Sequence, residues 1–266
     1  MNHLLRFFLS SATLLSEVSS MDVLQTNGNL EFLYQDDYLL AVNKPAGMIV
    51  HADGTNELSL TDLVCEKLRT LESSNKIDLS QIQALNRLDK KTTGIVLFSL
   101  KKETQSQFDQ LITSKELSKE YLAVVKGDFG LNKLLIDKAI GKDRHDAQKM
   151  RISNTGKPSQ TEVRLIKVAS SAQGQTQSLL LVNLLTGRKH QIRVHLSSLG
   201  FPLVGDALYG GVSSLQRGAK KKHKAQPLML HAYRVEFIHP VTSAKIVIKT
   251  DIPRRFSNFG VLEKDL

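Results

Sequence analysis

The sequence predicts an α+β fold, a largely antiparallel sheet flanked by a few helices. Three observations predict it. Short strand-like runs recur along most of the chain, only three stretches carry helical spacing, and no repeat or linker divides the chain. At 266 residues and 41% hydrophobic, the chain can bury a sizeable core in one large domain or two modest ones.

The elements follow in order. Residues 30–34 and 38–42 read as strands around Gln35-Asp36-Asp37, a turn signal. Lys44-Pro45-Ala46-Gly47 is a loop before Met48-Ile49-Val50. Leu60, Leu63, Val64, Leu68 and Leu71 share one face of a helix over 58–71, with Glu66, Lys67 and Arg69 outward; Ser73-Ser74-Asn75 ends it. Gly94 precedes the apolar run 95–98, a buried strand. A helix over 102–114 turns Phe108, Leu111 and Ile112 inward. In LSKEYLAVVKG, Tyr121, Ala123 and Val125 share one strand face, Leu122 and Val124 the other. Residues 130–158 are polar, basic and rich in turn formers, an exposed excursion. Residues 160–169 and 178–185 are strands. GRKHQIRVHLSSLGFP holds a short helix with Ile192, Leu196 and Leu199 inward, Gly200 at its C′ position and Pro202 forbidding continuation. AKKKHKAQ is a basic loop, and 228–238 and 244–249 are closing strands.

The formal net charge is +10. That excess favours a polyanionic partner, nucleic acid or an acidic membrane surface. The single cysteine, Cys65, excludes an internal disulfide and reads as a small core residue, which fits a reducing cytoplasm. The first twenty residues are too polar and too short for a membrane span, and Arg6 interrupts any signal-peptide run. They read as a loosely docked extension, with Met21 an alternative start.

Three groups could carry chemistry. Asp89 stands among Arg87, Lys90 and Lys91, just before a buried strand. It is either a surface ion-pair cluster or a carboxylate presented at a strand mouth. GRKHQIRVH packs Arg188, Lys189, His190, Arg193 and His195 together. His190 and His195 stand about 140° apart around a helix, so they do not share a face, and no zinc signature is present. No metal is expected. An arginine facing a carboxylate is the better pairing, because it favours the charged form and fixes its orientation. Tyr121 is either a core tyrosine or a functional one. No paired-carboxylate, GxSxG, P-loop or GxGxxG signal appears.

Together, NKPAGMIVH, NRLDKKTTGIVLFSL, KEYLAVVKG and GRKHQIRVHLSSLGFPLVGDALYG resemble, in order and spacing, the motifs of the RluA-like family of RNA pseudouridine synthases. The resemblance covers about Leu30 to Thr250. It implies the pseudouridine synthase catalytic fold with a central RNA-binding cleft. It also implies isomerisation of uridine in structured ribosomal or transfer RNA, with no cofactor. By resemblance Asp89 is the catalytic carboxylate, as nucleophile or in a glycal route. Tyr121 stacks on the base and takes the proton from the new carbon attachment point. Arg193 ion-pairs with Asp89, and Arg87 holds the flipped nucleotide out of its stack, with Arg188 and His190 also on the RNA. The chain departs from the family pattern at Asn86, where the family has histidine, and at Thr93, where it has serine. Asn86 bears on local packing or an RNA contact.

Residues 1–28 are then an extension and 29–260 the catalytic domain, without an S4-type RNA-binding domain. A cytoplasmic monomer is expected, with RNA as partner, no membrane and no obligatory protein partner. Loops 130–158 and 212–226 are expected to shape target choice; Lys220-Lys221-Lys222 is a phosphate contact or a solvated run. Two other readings stand beside this one: an RNA-binding protein without turnover, and a nucleobase hydrolase that releases uracil.

Overall fold

A computed structural model of the chain describes residues 30–71, 77–172, 174–210 and 226–266. The extension 1–28, the helix end at Ser73-Ser74-Asn75 and nearly all of the loop 212–226, with its three lysines, lie outside the described residues.

One sheet organises the molecule. Along it run β1 (Glu31–Gln35), β2 (Leu39–Lys44), β4 (Thr93–Ser99), β11 (Leu230–Ile238), β5 (Ser118–Lys126), β10 (Thr176–Leu184), β9 (Gln160–Ser170) and β6 (Lys133–Asp137), in that spatial order. β3 (Gln83–Ala84) pairs with β4 and β12 (Lys245–Lys249) with β11. Among the described residues every strand pairing is antiparallel except β4 with β11, which meet in parallel at His231 opposite Thr93 and Ala232 opposite Gly94. That contact requires a glycine. Gly94 has φ +111°, and a Cβ there would lie 2.1 Å from the Ala232 carbonyl oxygen. The strand that follows Asp89 is therefore pinned against the sheet centre.

Both faces of the sheet are covered. One face buries Leu40, Val42, Val96, Phe98, Tyr121, Ala123 and Val125 against α1 (Leu60–Thr70) and α3 (Gln191–Ser198). The other buries Leu39, Ala41, Ile95 and Leu97 against α2 (Gln105–Thr113), and Leu122 and Val124 against Phe256 and Phe259. All seven residues of β4 are buried, as its unbroken apolar run demands. The two faces of β5 separate as the alternation of its side chains predicts.

α1 starts on a capping box in which Ser59 and Asp62 bond reciprocally, and it buries Leu60, Leu63, Val64 and Leu68. Leu71 falls outside that face: the helix ends at Thr70 and Leu71 is extended and exposed. Cys65 is half-buried against the same core. The stretch 130–158 departs furthest from its expectation. β6 adds a strand to the sheet edge, and β7 (Ile140–Lys142) pairs with β8 (Met150–Ile152) in a separate hairpin. Turn residues and charges mask these strands in the sequence because each is short and only Ile136 and Ile140 are buried.

Candidate active site

The cleft is built at the start of β4 and the start of α3. Asp89 occupies the first corner of a turn closed by the Thr92 amide donating to its carbonyl, 2.9 Å. Two donors secure the next carbonyl, that of Lys90: the Gly47 amide at 2.8 Å and the Lys44 ammonium at 3.2 Å. Lys44 is fully buried and also donates to the carbonyls of Pro45 and Met48. Its three N–H bonds are thus satisfied by three carbonyls, and burial pulls its pKa down to about 8, against a partial lift from Asp89. Asn86 secures the other flank. Its side chain accepts from the Leu97 amide, 2.7 Å, and donates to the Ile95 carbonyl, so it packs the loop onto β4.

Across the cleft, the chain enters α3 through His190, which has a left-handed backbone, φ +56°. A non-glycine residue there costs about 1 kcal/mol or more and must be held. Gln191, almost fully buried, does the holding: it accepts from Thr186 Oγ1 and the Arg188 amide and donates to Gln160 O and Thr161 Oγ1.

One turn later Arg193 extends from α3 between two carboxylates. Its Nη1 donates to Asp89 Oδ2 at 2.8 Å, while Nε and Nη2 grip Asp206 in a two-point fork at 2.8 and 3.0 Å. Burial opposes the guanidinium charge, but the two carboxylates outweigh it and hold Arg193 above its ordinary range. Burial also opposes the Asp206 charge. Arg193 and the backbone amides of Tyr209 and Leu208 outweigh that and hold Asp206 below the usual carboxylate range. The turn that carries Asp206 closes on Gly210, where a Cβ would meet the Asp206 carbonyl at 2.1 Å.

The structure brings together most of the residues singled out in the sequence. A small pocket of about 60 Å³ is lined by Asp89, Tyr121, Arg193, Arg87, Arg188 and His190, among others. It opens beside a cleft of about 830 Å³ that shares Asp89, Arg87, His190 and Arg193 and adds His51, Lys90, Lys91 and Lys189. Tyr121 lines the small pocket and is buried, so it lies at the floor. Its phenol is buried; burial, and then the charge of Asp89, pushes it up and keeps it protonated. Arg87 and Arg188 are exposed at the rim, and Arg188 Nε donates to the Pro158 carbonyl. His190 Nε2 lies 3.7 Å from Asp89 Oδ2. His195 points away, bonded to Thr161 Oγ1 and the Lys138 carbonyl, and has no place in the cleft.

Sequence reasoning missed Asp206, Lys44, Gln191 and Tyr209 as site residues. Each lies inside a motif quoted above, and a buried lysine or aspartate in a turn-rich stretch has no periodic signal. Among the described residues no cluster of three or more His, Cys, Asp or Glu is arranged to hold a metal.

Comparison with known proteins identifies the family. A family model described as RNA pseudouridylate synthase matches residues 38–198. An uncharacterised RNA pseudouridine synthase of Bacillus subtilis is 34% identical over 92% of this chain and 76% of its own length. tRNA pseudouridine synthase C of Vibrio vulnificus is 31% identical over 85% of this chain and 91% of its own. Ribosomal large subunit pseudouridine synthase C of Buchnera aphidicola is 34% identical over 88% of this chain and 71% of its own. Among solved structures, human RNA Pseudouridylate Synthase Domain Containing 1 superposes with a TM-score of 0.68 at 26% identity, covering 85% of both chains.

The chain belongs to the RNA pseudouridylate synthase family, and its mixed sheet is the pseudouridine synthase fold. It is an isomerase that converts uridine in RNA to pseudouridine.

Proposed function

We propose that this enzyme modifies a uridine in ribosomal or transfer RNA, with Asp89 as the catalytic carboxylate. The observation that carries the assignment is the 2.8 Å bond from Arg193 to Asp89 Oδ2 in the pocket that Tyr121 floors. The bond fixes one oxygen. The other, Oδ1, takes no protein hydrogen bond among the described residues and faces the nucleotide.

Isomerisation breaks the N1–C1′ bond, turns the uracil and joins C5 to C1′; the C5 proton leaves and N1 gains one. A uridine stacked in RNA cannot reach Asp89, so it is flipped out at a cost of a few kcal/mol. Arg87 and Arg188 at the rim hold the displaced strand, with His190 beside the ribose. Tyr121 offers its ring face to the base. Its phenol is a poor proton acceptor while Asp89 is charged, because that charge helps to keep it protonated. Neutralising the carboxylate in an ester to C1′ removes that smaller contribution, while burial still holds the phenol protonated, so Tyr121 takes the C5 proton only as a relay that passes its own hydroxyl proton on to solvent.

The +10 charge draws the RNA backbone non-specifically. Ribosomal and transfer RNA are the substrates in the names of the Buchnera and Vibrio relatives, and that supports the same substrate class here. The hairpin of β7 and β8 borders the cleft through Ala147 and Gln148 and is the element placed to select the target. The enzyme works as a monomer in the cytoplasm without an obligatory protein partner. No described helix is long and apolar enough to cross a membrane.

Total RNA carrying tritium at uridine C5 tests the reading: the protein releases tritium to water. Mapping pseudouridine in a strain lacking the gene then shows a ribosomal or transfer RNA position reverting to uridine. No release from any RNA fraction overturns the proposal.

A further inference from the structure

A chain of hydrogen bonds runs along the cleft wall from the hairpin to the carboxylate. The Met150 amide of β8 donates to Tyr209 Oη at 2.8 Å, and that hydroxyl lies 2.7 Å from His190 Nδ1. His190 Nε2 in turn lies 3.7 Å from Asp89 Oδ2.

Proton counting gives this chain a direction. An amide N–H only donates, so the tyrosine oxygen accepts from Met150, and His190 Nδ1 is the one acceptor in hydrogen-bond reach of its single proton among the described residues. The phenol is protonated, since burial lifts it above its ordinary range. His190 is held below its ordinary range by burial, partly offset by the charge of Asp89, so its ring is neutral near pH 7. A neutral ring that accepts at Nδ1 carries its proton on Nε2. That proton is on the nitrogen nearest the catalytic carboxylate.

Tyr209 is itself firmly placed. Its amide donates to Asp206 Oδ1, Ser197 Oγ donates to its carbonyl, its ring meets His190 edge-on at 5.6 Å, and the Arg193 guanidinium stacks 5.0 Å above it.

We propose that Tyr209 is a positioning residue that locks His190 in its Nε2–H tautomer, giving the Asp89 site a second hydrogen-bond donor coupled to the hairpin through the Met150 amide. The 3.7 Å gap is beyond hydrogen-bond length, so the donor is poised for Asp89 Oδ2 or for a ribose oxygen beside it. The inference rests on the reading of Asp89 as the catalytic carboxylate. It adds a residue whose own atoms do not reach the reacting ones.

The test has a spectroscopic and a kinetic arm. Long-range proton–nitrogen spectra of protein labelled at its eight histidines report each ring tautomer, and His190 is assigned by the signal lost in His190→Gln. The wild-type ring shows an unprotonated, accepting Nδ1 and a protonated Nε2. Tyr209→Phe removes the lock, the ring relaxes to a tautomer mixture, and kcat for tritium release falls about tenfold while KM moves less than about twofold.

Glutamine places its amide donor near the Nε2 position and asparagine near Nδ1. His190→Gln therefore retains about fivefold more kcat than His190→Asn, and in the His190→Gln background Tyr209→Phe costs less than about twofold. A protonated Nδ1 in the wild type overturns the proposal. So does a ring spectrum unchanged by Tyr209→Phe, or an equal Tyr209→Phe penalty in both backgrounds. Failure of the enzymatic reading itself looks different: the wild type releases no tritium, while the ring spectrum still reports the tautomer.

Discussion

Arg193 and Arg255 are both drawn into the protein, and their surroundings are opposite. Arg193 is gripped by Asp206 and reaches Asp89, so its charge is balanced twice. Arg255, on the far side of β4, donates to Thr93 Oγ1 at 2.5 Å and to the Leu230 carbonyl at 3.4 Å. It meets no carboxylate among the described residues, and its buried Nε has no hydrogen-bond partner. Burial alone pulls its pKa down. The contrast separates two uses of one side chain. Two acceptors fix the Arg193 plane so that one N–H faces the cleft, whereas Arg255 braces Thr93, the residue that opens β4. Charge balance, not burial, is what separates Arg193 from Arg255.

Four experiments can break or sharpen this contrast. The largest effect is expected from Arg193→Met. It removes a preorganised donor from Asp89, so kcat falls about 10²–10³-fold. It also strands Asp206 in the interior, so chemical denaturation shows a loss of about 3–5 kcal/mol. A variant with near-normal turnover breaks the comparison on its working side.

Next comes His231, which bridges Thr93 and Thr250 beneath Arg255. Burial, and then the Arg255 charge, pulls its pKa down to about 3. Unfolded histidine titrates near 6.5, so below that pH the unfolded state binds the extra proton and stability is lost as pH falls from about 6.5 to about 3. The loss attributable to His231 is on the order of 4 kcal/mol at pH 3. It is measured as the difference in pH dependence between wild type and His231→Gln. Parallel stability curves would mean that this side of β4 is solvated.

Asp206→Asn is expected to act more mildly, because the amide keeps one acceptor for the guanidinium. Stability drops by about 1–3 kcal/mol and kcat by about tenfold, with RNA affinity little changed. A lost affinity with intact kcat would place Arg193 on the RNA instead of on Asp89. Arg255→Met is the smallest. Removing an uncompensated buried charge leaves stability within about 1 kcal/mol of wild type and turnover intact. A large loss there would show that Arg255 has an anionic partner.

Much of this arrangement was legible in the sequence because motifs report local backbone needs. Asp89, Gly94 and the apolar run behind them follow from one turn entering one buried strand. The alternation in LSKEYLAVVKG put Tyr121 with Ala123 and Val125 on one face of β5, and the structure shows that α3 covers that face. Pairing of Arg193 with Asp89 was expected from side-chain chemistry and from family resemblance.

What stayed hidden depends on distant partners. Asp206 sits in a glycine-rich turn and gains its meaning only from the α3 side chain that forks onto it. Lys44 sits beside a proline and is buried only because three carbonyls converge on its ammonium. The hairpin of β7 and β8 carries more charge than apolar surface, so binary pattern reads it as loop. Tyr209 is one aromatic in a turn, and its partner His190 enters α3 with a left-handed backbone, which no periodicity signals.

The central claim is that a carboxylate fixed by a guanidinium drives the isomerisation. It is tested most directly by comparing wild type with Asp89→Asn for tritium release from C5-labelled RNA, with binding to the same RNA measured in parallel. The account predicts that release falls below detection while RNA affinity stays within about threefold, since asparagine keeps the shape and loses the charge. Release at the wild-type rate from Asp89→Asn would contradict it.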